Sequence, residues 1–177
     1  MKNDEHSAVR ERIKRDLKAL RESLTKGQGG ELVLWVSPSQ LAAAQRPLRT
    51  EHERPRRPDA NAGPRVAEWV RRVRYESGIL SIICLLHDDE LELNYGRLGL
   101  HPKGLIGFYE AQGLQVRRVK IFDRPQEWRR EKDKQLADMQ LAADHFRELP
   151  KPVLVHCATG VDRTPPVAAY ILLHCLR

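Results

Sequence analysis

His156-Cys157-Ala158-Thr159-Gly160-Val161-Asp162-Arg163-Thr164 is the stretch on which the reading of this chain turns. An apolar run, Pro152 to Val155, leads into it and a helix-forming run, Val167 to Leu176, leaves it, so it reads as a tight loop between a strand end and a helix start. Such a junction leaves several backbone N–H groups without partners, aimed at one small volume, with the positive end of a helix dipole behind them. That volume suits a dianion. Ala158, Thr159, Gly160, Val161, Asp162 and Arg163 would line it, Gly160 giving the permissive backbone of a concave nest and Arg163 a planar fork for two phosphate oxygens. The same field favours a thiolate, which would make Cys157 a nucleophile for phosphorus. Thr164 places a hydroxyl near the sulfur to ease its departure, and His156 orients the loop from behind.

His-Cys-x-x-Gly-x-x-Arg-Thr, as it stands from His156 to Thr164, resembles the signature of the cysteine-dependent phosphatases, the protein tyrosine and dual-specificity phosphatase superfamily. It is not a Walker-type loop, because no Gly-Lys-Ser/Thr follows the glycine. Trp35-Val36-Ser37-Pro38-Ser39-Gln40-Leu41-Ala42 resembles the opening segment of small dual-specificity phosphatases, a Trp-Val-x-Pro-x-x-Leu-Ala run. The likeness extends roughly from Trp35 to the end of the sequence and leaves the N-terminal segment and residues 46–65 unmatched.

The resemblance implies a cysteinyl-phosphate mechanism with Cys157 as nucleophile, Arg163 and the loop amides as transition-state clamp, and Asp123 as general acid. Asp123 lies in a loop after a strand, similar to the mobile-loop aspartate of the superfamily, although the usual Trp-Pro-Asp is replaced by Ile121-Phe122-Asp123-Arg124-Pro125. The competing reading of Asp123 is an N-cap for the helix that follows. Asp162, an acid directly before the arginine, resembles the Asp-Arg-Thr ending of phosphoinositide phosphatases of the myotubularin and Sac types. Those enzymes carry extra cations in the loop, where this chain has Ala158 and Val161. Two departures, Pro165-Pro166 in place of Gly or Ser and a small residue, and an end at Arg177 where relatives add a helix, leave room for a phosphate-binding pseudoenzyme.

Around this loop, 177 residues with 41% hydrophobic content suggest one globular domain. Cys84, Cys157 and Cys175 are odd in number and widely spaced, matching neither a secreted disulfide framework nor a zinc pattern, so a reducing, cytoplasmic setting is expected. No cofactor or metal is expected, the acids after His87 reading as a helix cap. No apolar run approaches membrane-spanning length.

Val9, Ile13, Leu17, Leu20 and Leu24 mark an amphipathic helix, which with its glycine linker forms a segment 1–30 ahead of a catalytic domain 31–177. Residues 46–65 hold four prolines, six arginines and three acids, a composition that reads as a solvated insertion. Beyond it the pattern predicts a helix from Pro64 to Ser77, a strand from Ile79 to Leu86, a helix from Leu105 to Gln112, a strand from Leu114 to Ile121 and one long helix from Gln126 to Leu149. Helices alternating with strands predict an α/β fold with a mainly parallel sheet, ligands lying at the carboxyl ends of its strands.

For substrate, the loop itself selects only phosphate. Phosphotyrosine or mixed-specificity phosphoprotein is the expectation from the superfamily. A basic rim, nine arginines against four acids over residues 46–74 together with Arg117, Arg118, Lys120 and Arg124, points to a polyanion instead. Inositol polyphosphates, phosphoinositides and an RNA 5′-triphosphate are the candidates, the last because its phosphatases share a similar His-Cys-Thr-x-Gly-x-Asn-Arg-Thr loop.

Overall fold

A computed structural model describes residues 2–27, 30–49, 61–122 and 125–177. A five-stranded sheet runs through it in the order β1-β2-β5-β3-β4, from β1 (Leu34–Ser37), β2 (Leu41–Gln45), β3 (Ser81–Cys84), β4 (Gln115–Arg118) and β5 (Val153–Cys157). All neighbours are parallel except β1, which pairs antiparallel with β2 through a register shift between Trp35 and Ser37. Helices cover both faces: α1 (Lys2–Thr25), α2 (Ala62–Arg71), α3 (Asp88–Tyr95), α4 (Gly104–Ala111), α5 (Pro125–Arg130), α6 (Lys132–Glu148) and α7 (Thr164–Cys175). Among the described residues no helix is long and apolar enough to cross a membrane.

Alternation along the strands divides the core in two. Leu41, Ala43, Ile83, Val153, Val155 and Cys157 face α1, α6 and α7, whereas Ala42, Ala44, Ile82, Cys84 and Leu154 face α2, α3 and α4. β2 is Leu-Ala-Ala-Ala-Gln, a sequence of poor strand propensity that is wholly buried because α7 packs close over small residues. Val9, Ile13 and Leu17 of α1 are buried in the first cluster beside Ala168 and Ile171 of α7, so the N-terminal helix is a wall of the same core. Each such side chain contributes about 1.5–3 kcal/mol by leaving water.

Several elements differ from the sequence-based expectation. The helix after the insertion begins at Ala62, two residues before Pro64, and its second half, Arg72–Glu76, is π-helical. The acids after His87 cap a helix, as expected, and that helix is α3, an element the sequence pattern did not itself mark. The long helix expected from Gln126 to Leu149 is broken at Glu131, whose ψ of 77° is not helical. Trp128 Nε1 then donates to Asp138 Oδ2 (2.8 Å), pinning α5 against α6. The central residues 50–60 of the Arg/Pro-rich insertion lie outside the described residues.

Candidate functional site

β5 is the central strand, hydrogen-bonded on both sides, and Cys157 is its last residue, fully buried. The loop then turns on Gly160, whose φ of 77° belongs to the left-handed region. A Cβ there would stand 3.1 Å from Ala44 O and 3.2 Å from Gln45 N, so the loop lies directly on the end of β2 and only glycine fits. That fold brings Gly160 N to 3.3 Å from Cys157 Sγ, the amide donating to sulfur. Thr164 begins α7 with its Oγ1 buried and without a hydrogen-bond partner among the described residues, a donor held in reserve at the loop's end. Pro165 and Pro166 occupy the first turn of α7, where a missing N–H costs no helical bond.

Arg163 is 2% exposed, its guanidinium reaching the segments that follow β3 and β4. Its Nη1 and Nη2 donate to Glu90 Oε2 (2.6 Å) and Oε1 (2.7 Å), and Nη1 also reaches Ile121 O (2.8 Å). Glu90 in turn accepts from His87 N (2.9 Å), closing the cap of α3. Sequence reading missed Glu90. Its only signal was an acid within a predicted strand-end loop, and the fold turns that into a fixed partner for the loop arginine.

His156 is fully buried, with Tyr109 Oη 3.4 Å from Nε2 and its own Nδ1 3.5 Å from Cys157 O. A neutral ring protonated on Nδ1 satisfies both contacts. Burial, outweighing the carbonyl contact, lowers its pKa to about 4, so it stays neutral. Asp162 is tied sideways, accepting from Arg129 Nη2 (2.8 Å) and from Thr159 Oγ1 (3.3 Å). Val161 N donates to Thr159 Oγ1 (3.3 Å), so a side-chain ring braces the loop from within. Asp123, together with Arg124, lies outside the described residues.

Two further sequence readings take a physical form. Cys84 and Cys157 face opposite sides of the sheet, and burial raises the Cys84 thiol to about 11, which makes it an inert core residue. Part of the basic rim is paired: Arg71 with Glu68 and Glu76, Arg72 with Glu76, and Arg118 and Lys120 both with Asp88. A cavity of about 570 Å³ has Glu90 in its wall and is otherwise lined by His87, Asp89, Phe122, Glu127, Trp128, Glu131 and Lys134, acidic more than basic. No protein-family model, no curated protein and no solved structure matches this chain.

Proposed function

We propose that the chain is a phosphomonoester hydrolase of the protein tyrosine phosphatase type, acting through a cysteinyl-phosphate intermediate. The observation that carries this reading is the amide of Gly160 donating to the sulfur of Cys157 at the head of a parallel sheet, in front of the helix α7. The amide and the N-terminus of α7 both favour negative charge at this position. In the first step the thiolate attacks phosphorus, a sulfur–phosphorus bond forms as the ester bond breaks, and Asp123 gives its proton to the departing oxygen. In the second, the same aspartate takes a proton from water, whose oxygen displaces sulfur to release orthophosphate. Arg163, fixed by Glu90, and the loop amides from Ala158 to Arg163 stabilise the charge on the equatorial oxygens.

Asp162 is assigned to bracing, since both its oxygens are held by Arg129 and Thr159. The two prolines follow the phosphate-binding amides and remove none of them, which favours turnover over a pseudoenzyme. Phosphorylated protein is preferred over a polyanion as substrate, because Arg71, Arg72, Arg118 and Lys120 of the rim are ion-paired and the adjoining cavity is acidic. Hydrolysis of an aryl phosphate tests the assignment. Wild type should turn over, Cys157→Ser should abolish turnover, and Asp123→Asn should cost about 10² to 10⁴ in rate while Asp162→Asn costs far less. Equal rates for wild type and Cys157→Ser would overturn the hydrolase reading.

A further inference from the structure

The charges inside the loop cancel in pairs. Arg163 is matched by Glu90 through two hydrogen bonds and Asp162 by Arg129. Each of these charges stands beside an opposite one, so a further cation at the loop would add to the attraction for a dianion.

Arg46 differs. It is 6% exposed and stands immediately after β2, whose last residue Gln45 is in register with Cys157. Its backbone N donates to Ala158 O (3.3 Å), so it forms part of the loop's wall. Its guanidinium donates through Nη1 to Pro47 O (3.1 Å) and to Tyr95 Oη (3.3 Å) and lies 5.8 Å from the Tyr95 ring centre, all neutral groups. No carboxylate pairs with it among the described residues. Beside it Gln45, 7% exposed, keeps Oε1 buried without a hydrogen-bond partner among the described residues. Burying a cation with no counter-ion is costly, and its field reaches far in such surroundings. Burial is the first cause of the lowered pKa of His156, and Arg163 and Arg46 lower it further against the Cys157 carbonyl and Glu90, which raise it.

We infer that Arg46 is a positioning residue of the phosphate site, whose unmatched charge acts across the loop wall to draw and hold the dianion. The inference rests on the loop's being a phosphate site, though not on its turning substrate over. Affinity for inorganic orthophosphate, measured by calorimetry on the full chain, tests it. Arg46→Gln, which keeps a hydrogen-bond donor and removes the charge, should bind about tenfold more weakly. Arg46→Lys and Tyr95→Phe, which keep the charge, should stay within about twofold. Wild-type affinity in Arg46→Gln, or a loss in Arg46→Lys as large as in Arg46→Gln, overturns the inference. Should the glutamine variant not fold, the lysine variant decides alone: near-wild-type affinity supports a role for charge, and a tenfold loss refutes it. A wild type that binds orthophosphate without hydrolysing esters removes the hydrolase reading and leaves this one to the variants. One that hydrolyses esters while Arg46→Gln binds normally does the reverse, and no binding by wild type ends both.

Discussion

Arg163–Glu90 and Arg71–Glu68 are the same chemical pair in opposite settings. Each joins two guanidinium nitrogens to both carboxylate oxygens, at 2.6 and 2.7 Å in the first and 2.8 and 2.8 Å in the second. The first pair is 2% and 10% exposed, the second 49% and 54%. In the buried pair neither ion has water to fall back on, so each depends on the other. In the exposed pair water and salt compete throughout. Arginine count along the chain is therefore a poor guide to where charge matters, and the basic rim illustrates it.

The comparison breaks most visibly at Glu90. Glu90→Gln leaves a guanidinium buried without this counter-ion and should lower unfolding free energy by about 3–5 kcal/mol, read from urea denaturation, with loss of the proposed phosphatase activity. A change below about 1 kcal/mol would place the buried pair in the same class as the exposed one.

The next effect is a matter of pH. His156 has a folded pKa of about 4, set first by burial, against 6.5 in a free chain. As pH falls, the unfolded chain takes up that proton first. Stability is therefore intact above about pH 6.5 and declines from there towards pH 4, by up to about 3 kcal/mol. Burial also lowers His6 and His145, so the informative quantity is the difference between wild type and His156→Gln. The glutamine variant should show a flatter decline between pH 7 and 4.5, and parallel curves for the two proteins would refute the assignment. The smallest effect belongs to the surface: Glu68→Gln should leave the urea midpoint and the phosphate affinity where they were. A measurable drop in either would mean that the exposed pair does more than its setting allows.

The cysteine loop was legible because its constraints are local. A left-handed turn that lies on a neighbouring backbone admits only glycine, and a strand feeding a helix leaves a readable change of pattern. The partner of Arg163 was not legible, because Glu90 precedes it by 73 positions and meets it only through the parallel pairing of β3 with β5. The helix α3 was hidden for a related reason: His87-Asp88-Asp89-Glu90 has the composition of a cap, and the side chains that make it a helix start are held by Arg118, Lys120 and Arg163 from elsewhere. β2 was missed because three alanines carry no strand signal, and the close approach of α7 that demands them is a tertiary fact. The break at Glu131 lies within an unbroken helical pattern, and the Trp128–Asp138 bond that accompanies it spans the two halves.

The place of β5 in the sheet also sets an order in time. It is the last strand in the chain and the middle one in space, so β2 and β3 leave the ribosome long before the strand that joins them exists. Contacts of such wide sequence separation form late and slowly. Cys157 rides on that closing strand, and the surroundings on which its proposed role depends are assembled only as the sheet is completed. A nascent or half-folded chain carries Cys157 without the loop of Gly160 folded against it. Pulse-labelled amide exchange during refolding should accordingly show β2, β3 and β5 gaining protection in one phase, and early protection of β2 or β3 alone would separate the making of the sheet from the making of the site.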